Sequence, residues 1–235
     1  KDTAVALREI SDNNWFLELK ADCAKEMVIG FIRLNGAIVG AVANRSEILG
    51  EDGKAAKKFD SVLTMAGAYK AAHFVNLCDS FSIPVLTLTN VTGFASSVGE
   101  ERSIARALSQ LTAAFANATV PKVNLIVGKA YGSAYITMNS KHIGADLVFA
   151  YSDAEIGMMD AKLAAEIIYD GKDAATISEK AGEYAALQNN PVAAAKRGFV
   201  DSIIEPAATR KQLVYAFEML YTKREFRPNK KHSTI

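Results

Sequence analysis

The chain has 235 residues, half of them hydrophobic, and its 27 basic and 26 acidic side chains leave a formal net charge of +1. This length suits one sizeable core, and the balanced charge argues against a nucleic-acid partner, which usually needs a strong basic excess. No apolar run reaches the roughly 18 residues of a transmembrane helix, and the two cysteines lack metal or disulfide spacing. We therefore expect one cytoplasmic domain over 1–235, no bound metal, and two buried thiols.

The first elements in the chain are a short helix and a strand, predicted over 5–10 and 13–19. The clearest local signal follows them. Apolar runs over 28–34 and 37–43 flank an Asn-Gly pair at positions 35–36. An Asn-Gly pair between two apolar runs is typical of a β-hairpin with a two-residue turn.

Beyond the hairpin, helices and strands alternate. The segment 46–60, which is charged and contains spaced glycines, is predicted to be a mobile loop. Helices are predicted over 63–80, 100–118, 133–143, 161–170, 173–188, 191–197 and 209–221. Strands are predicted over 84–89, 121–127, 146–150, 155–157 and 199–204. This order indicates an α/β fold with a largely parallel sheet.

Two loops are placed where such sheets bind ligands, which is beyond the carboxyl ends of the strands. They are 90–99 and 129–133, and because they follow successive strands we expect them to face each other. The second loop lies between the apolar run 123–127 and a predicted helix, within the segment 129–136 (KAYGSAYI). Unpaired N–H groups at such a helix start suit an anion or a developing oxyanion. A plain crossover turn is the alternative.

Ser133 is a possible nucleophile in this loop, but its surroundings do not favour that role. The elbow pattern G-x-S-x-G is absent around it. A base would have to come from His73, His142 or His232, and His142 lies nine residues further along the same predicted helix. What remains is a site of backbone donors and small side chains. Catalysis there would rest on oxyanion stabilisation and positioning.

Matches in order along nearly the whole chain give a resemblance to a known family. The matching segments are 30–36 (GFIRLNG), 72–75 (AHFV), 93–94 (GF), 118–123 (ATVPKV), 129–132 (KAYG), 140–142 (SKH), 154–156 (AEI) and 194–201 (AAKRGFVD). On these segments the chain resembles the C-terminal half of the biotin-dependent acyl-CoA carboxyltransferases. That family includes the β-subunits of propionyl-CoA and acetyl-CoA carboxylases and the carboxyltransferase subunits of sodium-pumping decarboxylases.

The resemblance implies an α/β crotonase-like fold, the ββα superhelix of the ClpP/crotonase type. It also implies transfer of a carboxyl group between carboxybiotin and a short-chain acyl-CoA. In the family, the active site forms where the acyl-CoA-binding N-terminal half of one subunit meets the biotin-side C-terminal half of another. The implied partners are a biotin carboxyl carrier protein, a biotin carboxylase subunit or decarboxylase complex, an N-terminal carboxyltransferase half, acyl-CoA and further copies of the chain.

The site residues follow from the same resemblance. The two amides that bind the biotin ureido oxygen in the family fall on Ser133 and Ala134, where Ser133 replaces the usual glycine. The other substrate-binding residues that it implies are Gly132, Tyr135, Ile136, Gly93 and Phe94. Ile136 stands where many relatives carry an aspartate, so it is expected to influence the acyl preference.

Two other functions remain open at this point. One is a non-catalytic assembly subunit that keeps the fold, for which the altered loop 95–107 is the best support. The other is a crotonase-fold serine hydrolase that uses Ser133.

Overall fold

The computed structural model describes residues 1–50 and 52–227. Its strands are β1 (Phe16–Leu19), β2 (Met27–Leu34), β3 (Ala37–Asn44), β4 (Glu47–Leu49), β5 (Ala55–Lys58), β6 (Val62–Leu63), β7 (Val85–Val91), β8 (Gly93–Phe94), β9 (Lys122–Tyr131), β10 (Leu147–Tyr151), β11 (Glu155–Gly157) and β12 (Ser202–Ile204). Its α-helices are α1 (Thr3–Ile10), α2 (Met65–Ser80), α3 (Val98–Glu101), α4 (Ile104–Asn117), α5 (Gly132–Thr137), α6 (Ala161–Ile168), α7 (Ala174–Gln188), α8 (Pro191–Lys196) and α9 (Thr209–Leu220). Short 3₁₀ turns cover Asp12–Asn14, Lys141–Ile143 and Pro206–Ala208.

A mixed sheet of eight strands organises the molecule. Seven of them lie in the order β1-β2-β3-β7-β9-β10-β12, and β11 pairs with the end of β9. The pairs β1–β2 and β2–β3 are antiparallel, whereas every pair from β3 onward is parallel. The predicted α/β layout with a largely parallel sheet is therefore confirmed. Two small sheets, β4–β5 and β6–β8, lie apart from it.

The hairpin between β2 and β3 is confirmed around its Asn-Gly turn. Leu34 pairs with Ala37, so two residues form the connection. Asn35 and Gly36 have φ angles of 49° and 82°. Positive φ at both central residues is the mark of a type I′ turn, which asparagine and glycine tolerate best.

Helices cover both faces of the sheet because its strands carry apolar residues on both sides. Along β3, Val42 packs into a cluster with α2 and α4, while Ala41 and Ala43 pack into a second cluster with α1 and α9. Strands that are buried on both faces read as continuous apolar runs rather than alternating patterns. For this reason β2, β3, β7 and β9 could be predicted from continuous apolar runs in the sequence.

Several predictions about local structure were wrong in detail. The strand predicted over 199–204 covers only Ser202–Ile204, and the helix predicted over 100–118 is interrupted between Glu101 and Ile104. The segment 46–60 contains the antiparallel pair β4–β5 rather than a loop alone. The helix predicted over 133–143 ends at Thr137, because the chain turns at Asn139 with a left-handed φ of 54°. The strand predicted over 121–127 continues to Tyr131. Cys78 is buried as expected, but Cys23 is exposed in the turn after β1.

One buried lysine makes the stability of the fold depend on pH. Lys122, at the start of β9, is 1% exposed, and its Nζ donates to the carbonyl oxygen of Phe115 at 2.7 Å. Burial, reinforced by the nearby Lys223 ammonium, lowers the pKa of Lys122 to about 8. Asp146 and Glu225 oppose this shift, and Arg227 adds to it.

We expect the folded chain to gain stability between pH 8 and 10 relative to a Lys122→Met variant. In this window the unfolded chain keeps the Lys122 proton that the folded chain has lost, so stability rises with pH. The gain is at most about 3 kcal/mol, since one pKa unit corresponds to ~1.4 kcal/mol. Urea unfolding of both proteins at several pH values measures it. A stability difference that stays constant or falls would contradict the assignment.

Within residues 1–50 and 52–227, no helix combines the length and the apolar character needed to cross a membrane.

Candidate functional site

A cavity of about 420 Å³ opens where β7 and β9 end. Three segments line it: the loop after β7, the junction of β9 with α5, and the start of α6. The lining residues are Thr92, Gly93, Phe94, Lys129, Tyr131, Gly132, Ser133, Ala134, Met158, Met159, Asp160 and Leu163. The loops 90–99 and 129–133 therefore face each other, as predicted from their positions after successive strands.

The first wall is held by the small parallel sheet. Gly93 and Phe94 of β8 pair with Val62 and Leu63 of β6. The backbone N–H of Thr92 donates to the carbonyl of Ser61 at 2.6 Å, which secures the start of this wall.

The second wall depends on Gly132, at the point where β9 becomes α5. Gly132 has a φ of 56°, in the left-handed region that favours glycine. A Cβ atom at this position would also lie 3.0 Å from the carbonyl oxygen of Met158. Glycine thus allows the chain to enter α5 with Met158 closely packed against it.

The first amides of α5 lie in the first turn of the helix, where an N–H group has no acceptor within the helix. Tyr131, the residue before α5, supplies no side-chain cap to the N–H groups of Ser133 or Ala134. The Ser133 side chain is exposed, whereas that of Ala134 is buried. Both residues line the cavity. Unpaired donors at a helix start attract negative charge.

Sequence reasoning missed a charged cluster beside these amides. The Lys129 Nζ lies 3.9 Å from a Glu155 carboxylate oxygen and 3.8 Å from one of Asp160. It also lies 5.7 Å from the centre of the Tyr131 ring. The alternation of Lys129 and Tyr131 along β9 was visible in the sequence, but their proximity to β11 and α6 was not.

The tyrosine of this cluster is held as a neutral phenol. The Tyr131 hydroxyl donates to a Glu155 carboxylate oxygen. Burial, together with this bond and the Glu155 charge, raises the pKa of Tyr131 far above its usual range. Tyr131 is therefore a poor general base.

Two predicted site residues lie away from the cavity lining. Tyr135 is 4% exposed, and its ring packs edge-on against His142 at a centroid distance of 6.1 Å. Burial raises the pKa of Tyr135 to about 12. Ile136 is half-buried, and its carbonyl accepts from the Ser140 hydroxyl at 2.9 Å. The substrate-binding roles of these two residues remain predictions.

No described histidine activates Ser133. His73 is exposed on α2, and His142 packs against Phe199 at a centroid distance of 4.4 Å. Neither histidine hydrogen-bonds the Ser133 hydroxyl, and His232 lies outside the described residues. The serine hydrolase alternative therefore lacks, among the described residues, the histidine that it requires. In the same part of the chain, no group of three metal-ligating side chains is brought together.

Comparisons with known proteins agree with this architecture. The carboxyl transferase domain model matches residues 2–235. The chain is 43% identical to a putative propionyl-CoA carboxylase beta chain of Bacillus subtilis, with 100% of this chain and 46% of that protein covered. It is 40% identical to the methylmalonyl-CoA carboxyltransferase 12S subunit of Propionibacterium freudenreichii, with 100% of this chain and 44% of that subunit covered.

A solved structure of transcarboxylase 12S, a hexamer with methylmalonyl-coenzyme A and methylmalonic acid bound, superimposes with a TM-score of 0.90. It is 40% identical, and the match covers 99% of this chain and 44% of that one. The fold and the cavity at the strand ends thus define an α/β protein of the crotonase-like class. The chain belongs to the carboxyl transferase domain family. It spans about half the length of the curated relatives that it matches.

Proposed function

We propose that the chain is the C-terminal, biotin-side half of a biotin-dependent acyl-CoA carboxyltransferase. It transfers a carboxyl group between carboxybiotin on a carrier protein and a short-chain acyl-CoA. The observation that carries this proposal is the pair of first-turn amides of α5, Ser133 and Ala134, which line a cavity that no histidine lines among the described residues. Family membership and the methylmalonyl-CoA bound to the transcarboxylase relative support it.

The donor set of the cavity fits biotin. A cyclic urea offers one carbonyl oxygen, and two N–H donors at a helix start suit an oxygen on which negative charge develops. The Ser133 and Ala134 amides would hold that oxygen, and Gly132 permits the backbone turn that presents them. When bound, biotin supplies the ureido nitrogen that carries the carboxyl group. The residues of this chain supply orientation and charge stabilisation.

An exposed apolar surface beside the cavity supports a partner half. Met158, at the cavity rim, is 75% exposed, and Leu163 and Ile167 of α6 are 50% and 61% exposed. Contiguous apolar surface of this kind often marks a protein interface. An N-terminal carboxyltransferase half would cover it and bring the acyl-CoA to the cavity. We also infer assembly into an oligomer, action with a biotin carboxyl carrier protein and a carboxylase or decarboxylase complex, and a cytoplasmic location.

A full-length fusion tests this function. In it, the chain replaces the corresponding half of the Propionibacterium 12S subunit, to which it is 40% identical. We expect the fusion to transfer the carboxyl group of methylmalonyl-CoA to free biotin, and the isolated chain to be inactive because it lacks the acyl-CoA-binding half. The measurement is the label that appears in biotin from carboxyl-labelled methylmalonyl-CoA.

The parent 12S subunit is the matched control. A fusion that assembles and binds methylmalonyl-CoA as the parent does, but transfers no label, would contradict the enzyme assignment. It would favour the non-catalytic assembly subunit instead.

A further inference from the structure

The pairing of β7 with β9 is interrupted just before the candidate site. Thr89 pairs with Ile126, and the next pair is Val91 with Ala130. One residue of β7, Asn90, therefore faces the three residues 127–129 of β9. Such a bulge bends the longer strand and changes where its end points. Here the bulged strand leads directly to Gly132 and the first-turn amides of α5.

The side chain of Asn90 fills this bulge. Its Oδ1 accepts a hydrogen bond from the backbone N–H of Lys129 at 3.0 Å, which replaces the ladder bond that the bulge removes. Asn90 is 7% exposed. Its backbone is held in turn by Asn44 of β3, whose Oδ1 accepts from the Asn90 N–H at 2.8 Å and whose Nδ2 donates to the Asn90 carbonyl. A chain of amide hydrogen bonds thus joins β3, β7 and the end of β9.

Gly128 provides the space that this arrangement needs. A Cβ atom on Gly128 would lie 2.4 Å from the Asn90 Oδ1 and 3.0 Å from its Cγ. Any larger residue would therefore push the carboxamide away from the Lys129 amide. The requirement for glycine comes from this close approach of Asn90.

We propose that Asn90 and Gly128 together fix the position of the end of β9, and with it the positions of the Ser133 and Ala134 amides. We call this pair of residues the positioning device. The inference rests on the proposed function, because it assigns the bulge to the placement of those oxyanion donors. Both residues act through the same hydrogen bond, from the Lys129 N–H to the Asn90 Oδ1. Neither residue is itself a catalytic group, since neither lines the cavity.

A double-mutant cycle tests the device with Asn90→Ala, Gly128→Ala and the double variant. We expect each single change to shift the ¹H–¹⁵N resonances of Lys129, Ser133 and Ala134 in the chain itself. In the fusion protein each should lower kcat by roughly 10- to 100-fold while the KM for methylmalonyl-CoA changes less than about twofold, since small displacements of positioned groups are costly. The double variant should be no worse than the more damaging single variant, because one bond is lost in all three.

Two further variants serve as controls. Asn90→Asp keeps an oxygen acceptor for the Lys129 amide and should retain most of kcat. Asn76→Ala, on the exposed face of α2, should leave both the resonances and kcat unchanged.

The outcomes separate this inference from the proposed function. Unshifted Ser133 and Ala134 resonances in Asn90→Ala would overturn the positioning device, whatever the activity. Additive losses in the double variant would also overturn it. Shifted resonances with an unchanged kcat would support the device and remove the amides from the transfer step.

Discussion

Replacing Ser133 with proline is expected to lower carboxyl transfer by at least about 100-fold. Proline has no N–H, so the change removes one of the two donors that the cavity offers. Loss of a single oxyanion donor typically costs a factor of roughly 10² to 10³ in kcat. The position tolerates the ring, because Ser133 is exposed in the first turn of α5, where the N–H makes no helical bond. The measurement is kcat of the fusion protein.

The Ser133→Gly variant distinguishes the role of the Ser133 amide from that of its hydroxyl, because it keeps the first and removes the second. Glycine keeps the N–H and is expected to change kcat by less than about fivefold, because the loss of the donor is what costs a factor of roughly 10² or more. A similar loss of kcat in the glycine and proline variants would instead show that the Ser133 hydroxyl itself takes part. The thermal midpoint of each variant shows whether a loss of activity reflects unfolding.

Replacing Gly132 with alanine is expected to reduce both stability and transfer. Alanine in the left-handed region costs roughly 1–2 kcal/mol. The new methyl group would also press against the Met158 carbonyl, 3.0 Å away, so the backbone has to shift next to the Ser133 amide. We expect a loss of about 1–3 kcal/mol in urea unfolding of the chain. A fall in kcat of the fusion should accompany it.

Gly182→Ala is the matched control for that change. Gly182 lies inside α7, and a Cβ there meets nothing within 4 Å. Alanine should therefore stabilise the chain by about 0.5–1 kcal/mol, since glycine is the poorer helix former. If both alanine variants changed stability in the same direction, the special backbone of Gly132 would not be the cause.

Features with a local cause could be predicted from the sequence. The hairpin at Asn35 and Gly36 needs only its turn residues and two apolar runs, and β11 was predicted with its observed bounds, Glu155–Gly157. The facing loops followed from the general behaviour of parallel sheets. The resemblance to a family assigns the oxyanion donors to Ser133 and Ala134, which remains a prediction.

Features with a long-range cause could not be predicted in this way. The bulge in β9 arises from Asn90, 39 positions away from Lys129, whose amide it accepts. The cluster around Lys129 needs the register between β9 and β11, which only the folded sheet sets. The resemblance implies a substrate-binding role for Tyr135, and that role remains a prediction. Its ring packs in the core against His142, a contact that depends on how α5 is rotated in the folded chain.

The mixed order of the main sheet also has a consequence for how the chain folds. The β2–β3 turn brings together residues three positions apart, Leu34 and Ala37, so this contact needs only local search. The first parallel pairing joins Gly40 to Val85, across 45 positions (85 − 40) that include all of α2. Hairpins form within about 1–10 μs. Closing a long loop is slower, because chain entropy is lost before stabilising contacts form. We therefore expect the crossover connections around α2 and α4 to limit the folding rate, and the antiparallel edge to form ahead of the rest of the sheet.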